Sequence, residues 1–509
     1  MNYVPHASHS SEKLFSIVII VFINCLIAIS AAASNSNSFD MYIKYQVGTY
    51  SGEIVDFGAE ALDFADTNGD GNKDIIISTT GRIGVDPISP DDPRISIIHL
   101  TADFVGELAN TSRLEPSGWI NDFIFTDQDS DGYLEIIGND HGRELRYHIS
   151  DWNVMKVYEW EPSLNAYIEH TDKLKGNDVN FYHGMYGSGD VNGDGYDDIF
   201  VGSLSALPHT LLTGHPENFF VNSTAEIISK KRIYRNFKDE MPRFTSAGVA
   251  GVFDYGGDGD YDLISLPYDI KKEGTNLALI FEFEGGNFKK ILEFDPRSGK
   301  NLSRAQFKDI NSSTYGFSTI RFGDINNDGL QDIVAYAENP SQARGEHKGA
   351  IVSMIQEGGG MTSFKAIPEQ KLYFNLPTND PYLISTRGGI PMNSEISLID
   401  LDGDGDLDLF VPPYFDGNPR DLKYSLFFND GTGEFFHDLN KSKYLLREVS
   451  WMGGARVAVS DFNGDSIADY VVIDSDNSVE PKTKANEFGT RYYVDIFLSN
   501  ADRIRTNIK

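Results

Sequence analysis

The chain has 509 residues and a single cysteine, so it is long enough for one large repeat array or several domains, and a disulfide framework is excluded. Its 48 glycines, 33 phenylalanines and 25 tyrosines describe a turn-rich, well-packed β protein and not a disordered chain. A formal charge of −33, from 76 acidic against 43 basic residues, excludes a nucleic-acid binder that works by neutralising phosphate.

At the start, Lys13 precedes an apolar run from Leu14 to Ile29, then Ala31 to Ala33 and a Ser/Asn-rich stretch. This layout predicts a signal peptide over residues 1–33, and hence a secreted protein, extracellular or periplasmic. The run nears bilayer-spanning length, so a membrane anchor is the alternative. Cleavage removes Cys25, the one thiol, and residues 34–509 must then be stabilised by something other than disulfides. No second run in the remainder is long enough to span a membrane.

A strand is predicted at Met41 to Val47, and after it an internal repeat organises the chain. Seven nonamers begin at Asp66, Asp127, Asp190, Asp254, Asp324, Asp400 and Asp461, which are 61, 63, 64, 70, 76 and 61 residues apart. Positions 1, 3, 5 and 9 carry side-chain oxygens. They are Asp66, Asn68, Asp70 and Asp74 in loop one; Asp127, Asp129, Asp131 and Glu135 in loop two; and Asp190, Asn192, Asp194 and Asp198 in loop three. Loop four has Asp254, Asp258 and Asp262, with Gly256 at position 3; loop five has Asp324, Asn326, Asp328 and Asp332. Loop six has Asp400, Asp402, Asp404 and Asp408; loop seven has Asp461, Asn463, Asp465 and Asp469.

Calcium is a hard cation that takes six to eight oxygens at about 2.3–2.6 Å, and a short loop of carboxylates plus one carbonyl meets that need. The carbonyl is expected from position 7, at Asn72, Tyr133, Tyr196, Asp260, Leu330, Asp406 and Ile467. Magnesium fits less well, because it demands a smaller octahedron and keeps its waters. Up to seven calcium ions are therefore expected, and these ligands account for close to a third of the 76 acidic residues. Position 6 is Gly in six loops and Ser466 in the seventh, which puts that turn at risk, since a positive φ favours Gly. Gly256 costs the fourth loop an oxygen, whereas the longer arm of Glu135 is expected to be tolerated.

The EF-hand, which shares the first half of this pattern, needs a Glu at position 12 and flanking helices. Position 12 is Ile77, Gly138, Val201, Ser265, Ala335, Val411 and Val472, and the residues after position 9 are mostly β-branched and aromatic, as in Ile75-Ile76-Ile77. These are strands. Strands also precede the loops, at Leu62 to Ala65, Phe123 to Phe125 and Ile396 to Ile399, so each loop joins a hairpin. Further hairpins are predicted at Val157 to Tyr167, Phe281 to Phe288 and Leu426 to Phe435. Each period thus holds about four strands, one propeller blade. The last period shows strands near Tyr470 to Ile473 and Tyr492 to Leu498 and lacks a fourth, which the Met41 to Val47 strand is expected to supply. The fold predicted is all-β: a seven-bladed β-propeller of four-stranded blades over residues 34–509, with the N-terminal strand closing the last blade.

With the Asp-x-Asp/Asn-x-Asp-Gly-x-x-Asp loops and the aromatic-Asn-Asp-Gly-x-Gly-x-Phe turn at Phe428 to Phe435, the chain resembles the FG-GAP or VCBS repeat proteins, the propeller family of the integrin α head. The resemblance implies calcium on one face of the disc and partners at the opposite face or the rim. The function expected is a monomeric, non-catalytic adhesion or binding module for a protein or glycan, and the acidic charge argues against a nucleic-acid partner. Candidate partner residues before the inner strands are Trp119, Asn121, His183, Tyr315, Asn393, Trp451 and Arg456, beside insertions at Glu338 to Lys348 and Gln370 to Arg387. The alternative is a calcium-dependent lyase or hydrolase acting on polysaccharide, although no catalytic motif such as Gly-x-Ser-x-Gly or His-Glu-x-x-His is present.

Overall fold

The computed structural model describes residues 39–49, 59–79, 95–111, 113–114, 120–140, 155–175, 185–202, 209–223, 249–266, 278–285, 287–294, 316–338, 350–356, 365–366, 396–411, 426–446, 449, 457–476 and 491–507. The first strand, β1 (Phe39–Thr49), is followed by a blade of β2 (Ala59–Ala65), β3 (Asp74–Thr79), β4 (Ile95–Leu100) and β5 (Gly106–Leu108). Blade two is β6 (Ile120–Thr126), β7 (Glu135–Asp140), β8 (Met155–Glu161) and β9 (Ala166–Glu169). A short β10 (Leu174–Lys175) then pairs in parallel with the outer strand of blade three, which is β11 (Met185–Tyr186), β12 (Ile199–Val201), β13 (Thr210–Gly214) and β14 (Phe220–Asn222). Blade four is β15 (Ala250–Phe253), β16 (Asp262–Ser265), β17 (Ala278–Glu284) and β18 (Asn287–Phe294), and blade five is β19 (Gly316–Gly323), β20 (Asp332–Glu338), β21 (Ala350–Ile355) and β22 (Lys365–Ala366).

Blade six contains β23 (Ser397–Ile399), β24 (Asp408–Phe410) and β25 (Leu426–Phe427), and a two-way bridge between Phe428 and Phe436 holds the place of its fourth strand. Blade seven is β26 (Val457–Ser460), β27 (Asp469–Asp476) and β28 (Arg491–Ser499), with β1 as its outer strand. Ile43 lies opposite Ile496 and Tyr45 opposite Val494, so the expected closure by the N-terminal strand is present. The molecule is a seven-bladed β-propeller.

The second strand of each blade reads as an unbroken apolar run because a blade is covered on both faces. In β3, Ile75 and Ile77 pack with Val471, Val494 and Ile496 of blade seven, while Ile76 packs with Ile136 and Tyr158 of blade two. Further interfaces of this kind bring neighbouring blades together, and the contact of blade seven with blade one closes the circle. The inner strands of blades three and four are themselves hydrogen-bonded in parallel, Met185 opposite Ala250. Inner strands therefore run in one sense around the axis, and every connection from an inner to a second strand lies on the same face of the disc.

Among the described residues, two α-helices stand outside the strand reading of the sequence. Helix α1 (Leu439–Leu445) is capped by Asp438, whose carboxylate accepts the Asn440 and Lys441 N–H groups. Helix α2 (Ala501–Asn507) buries Ile504 among Leu401, Ile467 and Phe497.

Removing residues 1–49 strips the outer strand from β28 and exposes its edge; removing residues 1–38 does not. The first truncation is expected to lower the thermal midpoint by about 5 °C or more and to promote self-association, the second to do neither, as read by circular dichroism melting and size-exclusion chromatography.

Candidate metal centres

All seven nonamers sit between an inner and a second strand, and each is wrapped by its own side chains. In loop one, Asp66 Oδ1 accepts the Asp70 N–H at 3.1 Å and Asp66 Oδ2 accepts the Gly71 N–H at 2.7 Å. Asn68 Oδ1 also accepts the Asp70 N–H, and Asp70 Oδ1 accepts the Asn72 N–H. The first of these patterns recurs around Asp127, Asp190, Asp254, Asp324 and Asp461. In loop six, Asp400 takes the Gly403 and Gly405 N–H groups and Asp404 takes that of Asp406. Backbone donors thus orient the carboxylates of positions 1 and 5, and the Asn amide oxygen of position 3 in loops one, three, five and seven, before any ion arrives.

Two left-handed bends make this wrap. Position 6 has φ from 68° to 98°, and Ser466 adopts 68°, so the missing glycine leaves the seventh loop's course intact, with its N–H on Asp461 Oδ2 at 2.9 Å. Position 4 is left-handed as well, from Asn327 at 59° to Gly403 at 79°, a requirement that the sequence pattern alone does not reveal.

Position 9 is the buried end of each loop. Asp74, Glu135, Asp198, Asp332, Asp408 and Asp469 are 0 % exposed and Asp262 is 3 % exposed. In loops one, three, five, six and seven, one carboxylate oxygen accepts the N–H of position 2, at Thr67, Val191, Ile325, Leu401 and Phe462. The other accepts an N–H from the third strand or the residue just past it, at Leu100, Gly214, Gln356, Asn429 and Ser499. One acid thereby ties the hairpin to its neighbouring strand. Burial pushes these carboxyls up, to about 7 for Asp74, Asp198, Asp332 and Asp469, about 8 for Glu135 and Asp262, and about 9 for Asp408.

Position 8 links loops to neighbouring blades. Lys73 donates to Ser460 Oγ at 2.9 Å across the closure between blades one and seven, and Asp197 accepts from Thr126 at 2.9 Å. Gln331 Oε1 accepts the Asp254 N–H, and Ala468 donates its N–H to the Asp400 carbonyl. Neighbouring loops therefore touch on one face.

The donor sets suit a hard divalent cation. Asp127, Asp129 and Asp131 bring carboxylate oxygens within 4.8 Å of one another, as do Asp400, Asp402 and Asp404. A third such group, Asp129 with Glu135 and Glu159, includes a residue outside the nonamers. Glu135 Oε1 and Asp402 Oδ1 are buried without a hydrogen-bond partner, an arrangement that a cation relieves. In loop four, Gly256 supplies no oxygen, and its N–H is taken by Gln356 Oε1 of blade five at 3.1 Å. In loop six, Lys441 of α1 ion-pairs with Asp402 Oδ2 and lies 5.0 Å from the centroid of the Phe428 ring, so an ammonium shares that centre's charge.

Among the partner candidates, Asn121 lies on β6; Trp119, His183, Tyr315, Asn393, Trp451 and Arg456 lie outside the described residues, as do residues 1–33, 339–348 and 370–387. Among the described residues, no helix is long and apolar enough to cross a membrane.

The sign of the pH effect is set by burial. With carboxyls raised from about 4 in the unfolded chain to about 7–9 in the fold, these groups contribute stability to the metal-free protein that is fully present below about pH 4 and is lost as pH rises through those values. In chelator, the melting midpoint is expected to fall between pH 6 and pH 9, and excess calcium is expected to flatten the fall; parallel thermal scans at each pH measure both.

No protein-family model matches the chain, and no curated protein matches it in sequence. Solved structures similar to it include the exotype rhamnogalacturonan lyase YesX, at 14% identity and a TM-score of 0.29, covering 86% of this chain. The rhamnogalacturonan lyase YesW is likewise 14% identical, with a TM-score of 0.29 and 82% of this chain covered. The chain spans 57% of the length of each of these two. The Dos1 propeller, at 11% identity and a TM-score of 0.40, covers 87% of this chain and is itself spanned over 94% of its length.

Proposed function

We propose that this chain is a calcium-stapled propeller of the FG-GAP/VCBS kind, exported from the cell, that acts as a non-catalytic binding module for a protein or glycan. The observation that carries the calcium reading is the common wrap of the seven loops on one face, each ending in a buried acid. Asp66, Asn68, Asp70, Asp74 and the Asn72 carbonyl would hold the ion of loop one, and the corresponding positions would hold the others. Bound calcium supplies positive charge where carboxylates converge, and it joins an inner strand, a second strand and, through position 9, a third. A chain that carries one cysteine, in its leader, gains by this route the cross-links that exported proteins commonly draw from disulfides.

The binding reading rests on connectivity. The inner strands begin at the end opposite the metal loops, and Trp119, His183, Tyr315, Asn393, Trp451 and Arg456 precede those strands in sequence. Calcium there acts at a distance, by holding blades in register.

Each bound ion adds about 2.7 kcal/mol when its free concentration is a hundred times its dissociation constant. The melting midpoint in millimolar calcium is therefore expected to exceed that in chelator by about 10 °C or more, with native mass spectrometry counting up to seven ions. An unchanged transition and a metal-free mass would overturn the reading. A glycan array run beside a uronic-acid cleavage assay separates binding from catalysis, and product formation would favour the enzyme.

Lys441 provides a more local check. Lys441→Met frees the Asp402 carboxylate from its ammonium, so the sixth centre is expected to bind calcium about tenfold more tightly, while the chelated protein melts at a lower temperature. Competition with a chromophoric chelator measures the first effect and thermal scanning the second.

A further inference from the structure

Blade two departs from the others at the buried end of its loop. In five blades, both oxygens of the position 9 acid are taken by backbone N–H groups, one within the loop and one at the third strand. Glu135 is longer by one methylene. Its Oε2 accepts the Gln128 N–H at 2.6 Å, as position 9 does elsewhere, whereas Oε1 has no hydrogen-bond partner although the residue is 0 % exposed. An unpaired, fully buried carboxylate oxygen is costly unless a cation meets it.

Glu135 lies against a third carboxylate. Tyr158 on β8 is opposite Ile136, the residue after Glu135, and the next residue along β8 is Glu159. Asp129, Glu135 and Glu159 bring oxygens within 4.8 Å of one another, and Asp129 also belongs to the group formed with Asp127 and Asp131. Oxygens coordinating one calcium ion at about 2.3–2.6 Å stand within about 5 Å of each other, so both groups are compatible with a single shared centre. Glu159 is flanked by basic side chains: His170 Nε2 is 3.1 Å and Lys173 Nζ 4.0 Å from its Oε2, and Lys173 rests 3.8 Å from the centroid of the Phe219 ring of blade three.

We propose that Glu159 is an additional ligand of the blade-two centre, which gathers Asp127, Asp129, Asp131, Glu135 and Glu159 around one hard divalent cation. The place is not acidic by general rule. The register-equivalent residues on the other third strands are His99, Thr213, Glu282, Ile355, Phe428 and Leu498. Acids occupy it in blades two and four, the two whose nonamers depart from the common donor set at Glu135 and Gly256. Five carboxylates make the blade-two centre the most negative of those described, and the one expected to retain its ion longest against a chelator.

This inference rests on the calcium reading, and the test separates the two. Ion count and stepwise affinities are measured on the full chain by native mass spectrometry and chelator competition, for the wild type, Glu159→Gln and the exposed control Glu217→Gln. Expected is a loss of about tenfold or more in affinity at one of the bound ions in Glu159→Gln, with the control unchanged. On a background in which Asp127→Asn has already weakened that centre, Glu159→Gln is expected to change little more. A wild type that binds calcium together with an unaltered Glu159→Gln would overturn the role of Glu159 alone; a wild type that binds no ion would overturn both readings. Glu159→Asp keeps the charge and shortens the arm, and an intermediate affinity in it supports ligation, while full wild-type affinity counts against it. Should Glu159→Gln melt early, Glu159→Asp carries the measurement.

Discussion

A carboxylate buried where three strands meet is the constraint on which the rest of this molecule depends. Position 9 of each nonamer leaves water at the junction of an inner strand, a second strand and a third, where burial disfavours its charge. Two backbone N–H groups offset part of that cost in most blades, and the acid becomes a tie between the hairpin and the next strand. It cannot be exchanged for an apolar residue without leaving those donors unmet. The carboxylates of positions 1 and 5 stand in front of it, a gathering of like charge that is unfavourable until a cation meets it.

Between blades, the joining is apolar and shared. Second strands bury residues on both faces, so Ile75 and Ile76, adjacent in sequence, serve different interfaces. The metal-loop face adds polar joints through position 8 and through Arg505 of α2, which donates to the Gly403 and Asp465 carbonyls of loops six and seven. Closure depends on both: β1 completes the last sheet, and Lys73 reaches back to Ser460. A loop that loosens therefore affects two blades, its own and a neighbour.

Much of this architecture is legible in the chain because the nonamer is both a turn and a spacer. Its recurrence sets the number of blades, its flanking apolar runs mark inner and second strands, and the strand count of the last period exposes the need for Met41 to Val47. The illegible part depends on register. Position 8 contacts are made with residues 71 positions away, as with Thr126 and Asp197, or 387 away, as with Lys73 and Ser460. Glu159 reads in sequence as one charge in an amphipathic strand; only the pairing of β7 with β8 sets it beside Glu135. Position 4 is obscured because Ser130 and Asn327 take the left-handed bend that Gly takes in the other five loops. Helix α1 is hidden by its brevity, although Asp438 is an ordinary cap.

Uniform backbone and uneven charge together argue that the seven loops are not seven copies of one device. The wrap keeps its geometry even where Ser466 replaces Gly, since backbone donors to Asp461 direct it. The charge around it varies with the contributions of the third strand and the segments beyond it. Blade two gains Glu159, blade four loses the oxygen that Gly256 lacks and receives Gln356 instead, and blade six receives Lys441. Because the strands dictate where the carboxylates stand and their neighbours dictate how much negative charge is left over, a fixed scaffold can present centres of graded affinity. On the proposed calcium reading, a fall in the free ion would empty these centres in sequence, so that softening begins in particular blades while the apolar interfaces still hold the circle together.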